Sequence, residues 1–492
     1  MKKITLFLVF FAVFAKATPP ENFNGIKLGA DGRLIPSAYD KVKTFENGKT
    51  PLREVFVSVN GSDVTGNGTF EKPFVTIAKA LDAVSDGKAV RPGTAIRIMP
   101  GEYNESLTLV DRLIGTEEAP IWIGGYSATD RPVMKHPNGF IKYTGAYVIL
   151  HDLEVIHIPP YKQGVHGIYP YGDFVNQKAS HHFVLRNLYV HHIGDSPIKT
   201  STVDYYWLFD CEVSFGQQGL RGSGSIDNVG SHYATVAYNY LHHSVGIGIV
   251  FKGGSSEVDI HNNLIVEPGV TGVSMGQSTG FQYFYPALTS LKEEERFEAH
   301  DIRTYSNIFI GGICPFYMTS SKDCYFVNNT VIHPSTHLFR HFNMTVEDGT
   351  SYSIPPADPA IYRLFKGGAS LNNTIANNIF YFYGDQSIRI HPRTNHETLV
   401  LHNNLFFHAK AQTTELRYDM QVVLPENMIN AIIGKDPLFE DFLNNNFRLK
   451  ANSPAIGAGI NLPFVKKDGK SFAVEDFEGK PFASPRTIGA IQ

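Results

Sequence analysis

Three basic residues each follow an apolar residue in short segments that look alike: Lys199 in SPIKTS, Arg221 in QGLRGS and Lys252 in IVFKGGS. If each segment is a β-strand, its side chains alternate between two faces, so the apolar residues point inward and the cations outward. Cations stacked about 4.8 Å apart repel one another, and folding alone does not favour such a row. The pattern therefore indicates a site for an anionic ligand, such as a polyuronate with a carboxylate on each sugar. The alternative is a solvated basic strand face whose charge nearby acids offset.

Other side chains are predicted to lie near these cations. Tyr169 in HGIYPYGD falls on the same face one strand earlier, and we include it among the substrate-binding residues. His166 and His232 are further candidates for binding and are alternatives to lysine as base or proton donor. Tyr283 and Tyr285 belong to a long aromatic segment and either stack on sugar rings or anchor their own loop.

A repeat along the chain supplies the strands that would position these residues. Short apolar runs follow a polar residue, nearly always Asn, and several neighbouring anchors are 22 to 28 residues apart. The anchors are Asp152, Asn187, Cys211, Asn239, Asn263, Asn307, Asn329, Asn378 and Asn404. A period in the low twenties, built from strand-like triplets, predicts a parallel β-helix rather than a helical repeat. Stacked amides bond to one another at a buried bend, so we assign the Asn residues to the scaffold.

This repeat defines the domain organisation that we predict. Residues 18–53 form an N-terminal cap or extension that packs along or covers the start of the solenoid, and residues 54–492 form the β-helix domain. A short amphipathic helix at about 77–84 is placed to close the amino-terminal end. Long loops on one face of a solenoid usually make its binding side. The loops that we predict there cover about 222–233, 277–299 and 342–370.

Composition and the first residues bound the class of protein. The net charge of −4 over 492 residues gives no general attraction to nucleic acid, and 3 Cys exclude a disulfide framework. Two lysines, an apolar run and Ala15-Lys16-Ala17 predict a signal peptide over residues 1–17. We therefore expect a periplasmic or secreted bacterial protein that is a monomer, with no membrane span after signal cleavage.

Segments near both ends carry a family resemblance. VFVSVNGSD, GTFEKPF, TIAKALDAV and IRIMPGEY resemble the opening of pectate-lyase-like right-handed β-helix proteins of bacteria. DPLFEDFLNNNFRLKANSPAIGAGI and the final IGAIQ are similar to the carboxy-terminal end of the same group. The resemblance covers most of residues 54–492 and implies an all-β, single-stranded right-handed parallel β-helix. The superfamily contains lyases, glycosidases, epimerases and binding proteins, so the resemblance does not choose the reaction.

Resemblance to the β-helix lyases implies β-elimination on an acidic polysaccharide with Lys or Arg as the base. The enzyme must neutralise a uronate carboxylate, remove the proton at C5 and assist the departing C4 oxygen. We assign Lys252 as the base, because cationic neighbours would favour its neutral form. Arg221 would hold the carboxylate through its guanidinium fork, and Lys199 would bind an adjacent acid sugar.

Two other classes of protein stay open, and so does a metal. A glycoside hydrolase needs two carboxyl groups across the cleft, for which the candidates are Asp195, Asp227 and Glu298. A non-catalytic glycan-binding solenoid would use the cations and aromatics without a base. Many lyases that this chain resembles use Ca²⁺, so calcium is a possible cofactor. The nearby acids that could bind it are Asp204, Asp210, Glu212 and Asp227.

Overall fold

The computed structural model describes most of the chain. The described residues are 26–218, 224–342, 370–392, 394–411, 415–420, 422, 428–462, 466 and 469–492. The predicted signal peptide, Arg221 and residues 343–369 of the third predicted loop lie outside them.

The chain winds into a solenoid whose strands pair in parallel with those of the next coil. Each full coil supplies one strand to each of three faces. These faces are called sheets A, B and C, because each coil passes through them in that order. Sheet A contains Leu107–Ile114, Ile168–Pro170, Ile247–Lys252, Thr271–Met275, Cys314–Thr319, His337–Phe342, Ser387–Ile390 and Arg417–Asp419. Sheet B contains Arg53–Val57, Thr94–Ile98, Ile121–Gly125, Ser255–His261, Ala299–Tyr305, Ser321–Lys322, Tyr325–Val327, Thr374–Ala376, Val400–His402 and Met428–Ile429. Sheet C contains Glu102–Tyr103, Val133–Lys135, Glu212–Ser214, Tyr240–Ser244, Leu264–Pro268, Ile308–Ile310, Thr330–Ile332, Ile379–Phe382, Leu405–His408 and Ile432–Ile433.

Several elements lie outside this simple scheme. Four long strands bend around corners and so serve more than one sheet: Ile141–Ile156, Ser180–His191, Ile198–Phe209 and Gly224–Ala237. Three small antiparallel pairs are Lys27–Leu28 with Leu34–Ile35, Ser85–Asp86 with Ala89–Val90, and Phe439–Asp441 with Asn446–Leu449. The 3₁₀ helices are Phe281–Tyr283, Leu288–Ser290, Glu293–Glu295, His396–Thr398 and Phe442–Asn444. The all-β, parallel-coil architecture is confirmed, and the sense in which the coil winds stays a prediction.

Alternation along the sheet A strands separates core from surface. Ile198, Ile226, Ile249 and Val273 occupy paired positions on successive coils and are completely buried. Burying each such side chain contributes about 1.5 to 3 kcal/mol. Since neighbours in a strand face opposite ways, the residue after each of them points away from the core. Lys199 and its equivalents Asp227, Val250 and Ser274 therefore lie on the outer side of sheet A, where neighbouring groups cover the last three.

The Asn ladder is present at the corner between sheets B and C. The side-chain oxygen of Asn263 accepts from both the backbone and the side-chain nitrogen of Asn239, each at 3.0 Å. The same double contact links each Asn anchor to the next as far as Asn404. Cys211 starts the ladder by donating its backbone N–H to Asn239 at 2.9 Å. The amides therefore have a scaffold role.

Two predicted anchors are one position out of register. Asp152 and Asn187 have φ of 56° and 51°, and they align with Asp210 at the left-handed residue that precedes the ladder. Their neighbours Leu153 and Leu188 take the ladder position. Asn and Asp suit both positions, since they tolerate left-handed φ and also bond across a bend, so the sequence does not separate the two.

The predicted helix is confirmed as Ile77–Ala83, capped by the Thr76 side chain, which accepts from the backbone N–H of Lys79. Its buried residues Ile77 and Leu81 join the main core beside the first coil. Within the described residues, no helix has the length and apolar character needed to cross a bilayer.

Both terminal segments lie along the corner between sheets B and C. Backbone N–H groups of Ser37 and Ala38 donate to Asp210, each at 2.8 Å. From the other end of the chain, Asp476 and Thr487 offer backbone oxygens to Asn side chains at the same corner. Sheet A is the opposite face of the solenoid. The described parts of the two terminal segments therefore leave its outer surface open.

The first predicted loop is wrong. Residues 224–233 belong to the strand Gly224–Ala237, which pairs with Ile198–Phe209 on one side and Ile247–Lys252 on the other. Polar residues such as Asn228 and Ser231 give this stretch the composition of a loop. They are buried instead, and their side chains are satisfied by hydrogen bonds to Thr200 and to other strand groups.

Candidate active site on sheet A

Two lysines on the outer face of sheet A share one buried carboxylate. Asp227 lies directly opposite Lys199 in the strand pairing and is only 1% exposed. Lys199 Nζ contacts Asp227 Oδ2, and Lys252 Nζ lies 3.0 Å from Asp227 Oδ1. The two ammonium groups hold the pKa of Asp227 well below its usual range, against the opposing effect of burial. We call Lys199, Asp227 and Lys252 the lysine site.

The predicted register of the three cations is wrong. The strand next to Lys199 places Asp227 beside it, and described pairing in that strand begins at Gly224, beyond Arg221. Lys252 belongs to the strand of the following coil. In that strand the partner of Asp227 is Val250, and Lys252 lies two residues after it. A carboxylate thus lies at the position predicted for the second cation, and Lys252 contacts this carboxylate instead of a row of cations. Like charges on neighbouring strands are costly, and Asp227 relieves that cost.

Tyr169 and His166 extend the site by one coil. Tyr169 follows Ile168, the partner of Ile198, and so aligns with Lys199, as predicted. Its hydroxyl donates to Ser201 Oγ at 3.2 Å, and its ring lies 5.1 Å from that of His166. Burial, and next Lys199, lower the pKa of His166 to about 4, so this imidazole is neutral at neutral pH. The Ser196 backbone N–H donates to His166 Nδ1 at 3.3 Å, which leaves the ring proton on Nε2 as a donor.

His232 lies at the neighbouring corner between sheets A and B, and its ring nitrogens both have partners. Nε2 lies 2.9 Å from the Tyr285 carbonyl oxygen, which can only accept, so Nε2 carries the proton. Nδ1 then accepts from Ser256 Oγ at 2.8 Å. This arrangement suits a histidine that holds the Tyr285 backbone and leaves it poorly placed to take a proton from substrate.

Tyr285 connects His232 to an unusual acid. Its hydroxyl donates to Asp204 Oδ2 at 3.3 Å, and Asp204 lies opposite His232 in the strand pairing. Burial raises the pKa of Asp204 to about 6, and burial also raises the pKa of Tyr285 to about 12. Asp204 Oδ1 is buried with no hydrogen-bond partner among the described residues. From the sequence, Asp204 is predicted only as a possible metal ligand, and no motif marks its environment.

Residues 276–298 form a loop, here called the site loop, at the corner between sheets A and B. Phe281 and Phe284 are buried and anchor it, whereas the Tyr283 side chain is 41% exposed. Gln177, on a loop of an earlier coil, donates to the Phe284 carbonyl oxygen at 3.3 Å and accepts from the Ala287 N–H at 2.6 Å. The site loop therefore reaches back along the solenoid and forms a wall beside the lysine site. The buried phenylalanines therefore anchor the site loop, and stacking of Tyr283 on a sugar ring stays a prediction.

Glu298 is buried beneath the turn that follows Lys252. Its side chain accepts from the backbone N–H groups of Gly253 at 3.0 Å and Thr279 at 2.9 Å, and from Thr279 Oγ1 at 2.7 Å. Burial raises its pKa to about 7. Gly276 packs against it, and a Cβ there would lie 1.9 Å from the Thr319 carbonyl oxygen. Glycine at 276 is therefore required for close packing.

The raised pKa of Glu298 makes folding stability depend on pH. The folded protein holds a proton that the unfolded chain releases near pH 4.5, so the stabilising effect of protonation is full below that pH and is lost as pH rises through about 7. The loss amounts to about 3 kcal/mol. We expect the unfolding free energy of wild type, relative to Glu298→Gln, to fall by about that amount between the two pH limits in urea titrations. Glu294→Gln, on an exposed part of the same loop, should show no such trend.

The other predicted carboxylates have structural partners. Asp195 Oδ2 accepts from the Gly164 backbone N–H at 2.8 Å, and Glu212 accepts from the Leu34 N–H at 2.9 Å. Asp210 accepts hydrogen bonds from the N-terminal segment, and Asp227 forms ion pairs with Lys199 and Lys252. Among the described residues, no group of three or more His, Cys, Asp or Glu side chains could hold a metal ion. The four acids considered for calcium thus do not fit a single site, and no step is assigned to a metal.

Comparison with known proteins identifies the fold. No protein-family model matches the chain, and no curated protein matches its sequence. Among solved structures, pectate lyase Pel9A is 15% identical, with 90% of this chain and 97% of that chain covered and a TM-score of 0.51. XylC in complex with xylose is 11% identical, with coverage of 89% and 98% and a TM-score of 0.52. The chain therefore has the pectate-lyase-like parallel β-helix fold that its sequence resembles, and at these identities the likeness shows the fold alone.

Proposed function

We propose that this protein is a secreted carbohydrate-active enzyme, a polysaccharide lyase that cleaves a uronate-containing polysaccharide by β-elimination on sheet A. The observation that carries the proposal is the lysine site, where two lysine amino groups meet at one carboxylate on the outer side of sheet A. The predicted signal sequence supports export, and a monomer suffices for the site.

In this proposal the lysines act on the uronate carboxylate and its neighbouring proton. Lys199, as an ammonium group, pairs with the carboxylate and draws negative charge from it, which acidifies the C5 proton and stabilises the carbanion that forms. Lys252, in its neutral amine form, takes that proton on its lone pair and becomes an ammonium group. Its Nζ contacts Asp227 and lies 3.5 Å from Gln277 Oε1. Arg221 keeps its proposed role of holding a carboxylate.

Tyr169, His166 and the site loop would bind the sugar chain around the reacting unit. The neutral His166 carries a donor proton on Nε2, which suits a hydrogen bond to the departing C4 oxygen or to a hydroxyl. The exposed ring of Tyr283 is placed to stack on a sugar at the wall. Tyr285 and His232 shape the same corner through their mutual contact.

The burial and the existing partners of Asp227 and Glu298 favour elimination over hydrolysis. Hydrolysis requires two carboxyl groups that reach the sugar from opposite sides. Asp227 is 1% exposed and already paired with two lysines, and Glu298 is completely buried with three hydrogen bonds. Neither is placed to contact a glycosidic bond.

The proposal is tested by incubating purified protein with polygalacturonate, alginate and hyaluronate. Elimination creates a double bond conjugated to the carboxylate, so ultraviolet absorbance should rise together with new reducing ends. Reducing ends without that absorbance would indicate a hydrolase. Binding without either product would indicate a glycan-binding protein, and each of these outcomes would reject the lyase.

A further inference from the structure

A second cationic cluster lies on the same outer row of sheet A as the lysine site. From Asp227 the strand pairing runs through Val250, Ser274 and Tyr317 to Arg340 and then to Arg389. At about 4.8 Å per coil, Arg340 lies roughly 14 Å from the coil of Lys252. We call Tyr317, Arg340, Phe342 and Arg389 the arginine patch.

Aromatic rings hold the first guanidinium of the patch in place. The Arg340 guanidinium carbon lies 4.3 Å from the centre of the Tyr317 ring and 4.3 Å from that of Phe342. Arg340 Nη1 also donates to the Tyr317 hydroxyl at 2.5 Å. Arg389 lies over the same Phe342 ring at 5.6 Å. Two rings packed against one guanidinium restrict the orientation of its plane. The direction in which its N–H groups point is therefore set before a ligand binds.

The described residues balance the charge of the patch poorly. Arg340 and Arg389 are direct partners on adjacent strands, where like charges destabilise a sheet. Arg389 Nε lies 3.5 Å from Asp419 Oδ2, but no described carboxylate lies within ion-pair distance of Arg340. Arg340 Nε is buried and has no hydrogen-bond partner among the described residues. At the lysine site, by contrast, Asp227 neutralises the equivalent repulsion.

We infer that the arginine patch is a binding subsite for an acidic group of the same polysaccharide, several sugars from the bond that is cleaved. The inference rests on the proposed function for the identity of the polymer. It places the chain along the solenoid axis, from the lysine site toward the carboxy-terminal coils. The paired guanidinium forks select a planar or tetrahedral oxyanion, that is, a carboxylate or a sulfate ester.

Affinity electrophoresis in gels containing polygalacturonate, alginate, hyaluronate or chondroitin sulfate tests the subsite without requiring turnover. Wild type should be retarded by at least one of these polymers, and Arg340→Met with Arg389→Met should weaken that retention about tenfold or more. Arg97→Met is the matched control, since Arg97 pairs with Glu54 on sheet B at 2.9 Å. Thermal unfolding of each variant verifies the fold.

A second variant separates fork geometry from charge. Arg340→Lys with Arg389→Lys keeps both charges and removes the bidentate forks, and we expect it to bind nearly as weakly as the methionine variant. Equal retention of wild type and the methionine variant, or no retention of wild type by any acidic polymer, would overturn the subsite. Absorbance assays decide the lyase separately, because elimination by the methionine variant on short oligomers would leave the proposed function intact.

Discussion

Replacing Lys252 with Met is expected to lower the rate of uronate elimination by at least about 10³-fold, because the reaction loses its base. Absorbance of the unsaturated product measures the loss. Lys252→Arg is the informative partner variant, since it keeps the positive charge but a guanidinium holds its proton far more tightly than an amine does. If the Lys252 amine is the base, the arginine variant should be far less active than wild type.

The opposite result would reassign the residue. An arginine variant that keeps activity within about tenfold of wild type would contradict the assignment of the Lys252 amine as the base. Lys142→Met is a suitable control on the same sheet. Lys142 Nζ lies over the rings of Tyr169 and Tyr171 at 5.2 and 4.6 Å, so its loss should alter sugar binding more than turnover.

Asp227→Asn is expected to cause the largest loss of stability, about 3 to 5 kcal/mol. The amide cannot neutralise two lysines whose ammonium groups both contact this side chain, so their repulsion is left uncompensated in a nearly buried place. Urea unfolding of wild type and variant measures the difference. The exposed Asp130→Asn is the control and should change stability by less than about 0.5 kcal/mol.

The pH dependence of that difference provides a further check on Asp227. Because its folded pKa lies below that of the unfolded chain, its contribution is full above about pH 4 and is lost on further acidification. The two unfolding free energies should therefore differ by a constant amount near neutrality and converge in acid. A gap that instead grew on acidification would contradict the ion-pair assignment.

Local sequence patterns predicted most of the fold. The Asn ladder and the short helix follow from residues within one coil, because period-two alternation, a bend residue and an N-cap each act over a few positions. Asp152 and Asn187 show where this information ends. Asn and Asp suit both the left-handed position and the ladder position that follows it. The sequence therefore does not show which of the two positions such a residue occupies.

The candidate site was predicted only in part. Tyr169, Lys199 and Lys252 do lie on the outer face of one sheet, as alternation indicated. The sequence does not reveal that Asp227 lies between the lysines, because the polar residues of its strand have the composition of a loop. Asp204 and the arginine patch were missed as well, since their neighbours come from coils tens of residues away.

The sequence by itself determined that this protein is a parallel β-helix with cations on its surface, because repeat period and alternation are properties of the chain. Only the tertiary structure decided which charges meet. The number of residues per coil varies with its loops, and a shift of a few residues exchanges the partner on the next strand. That variation put the carboxylate of Asp227 beside Lys199 and set the surroundings in which Lys252 would act.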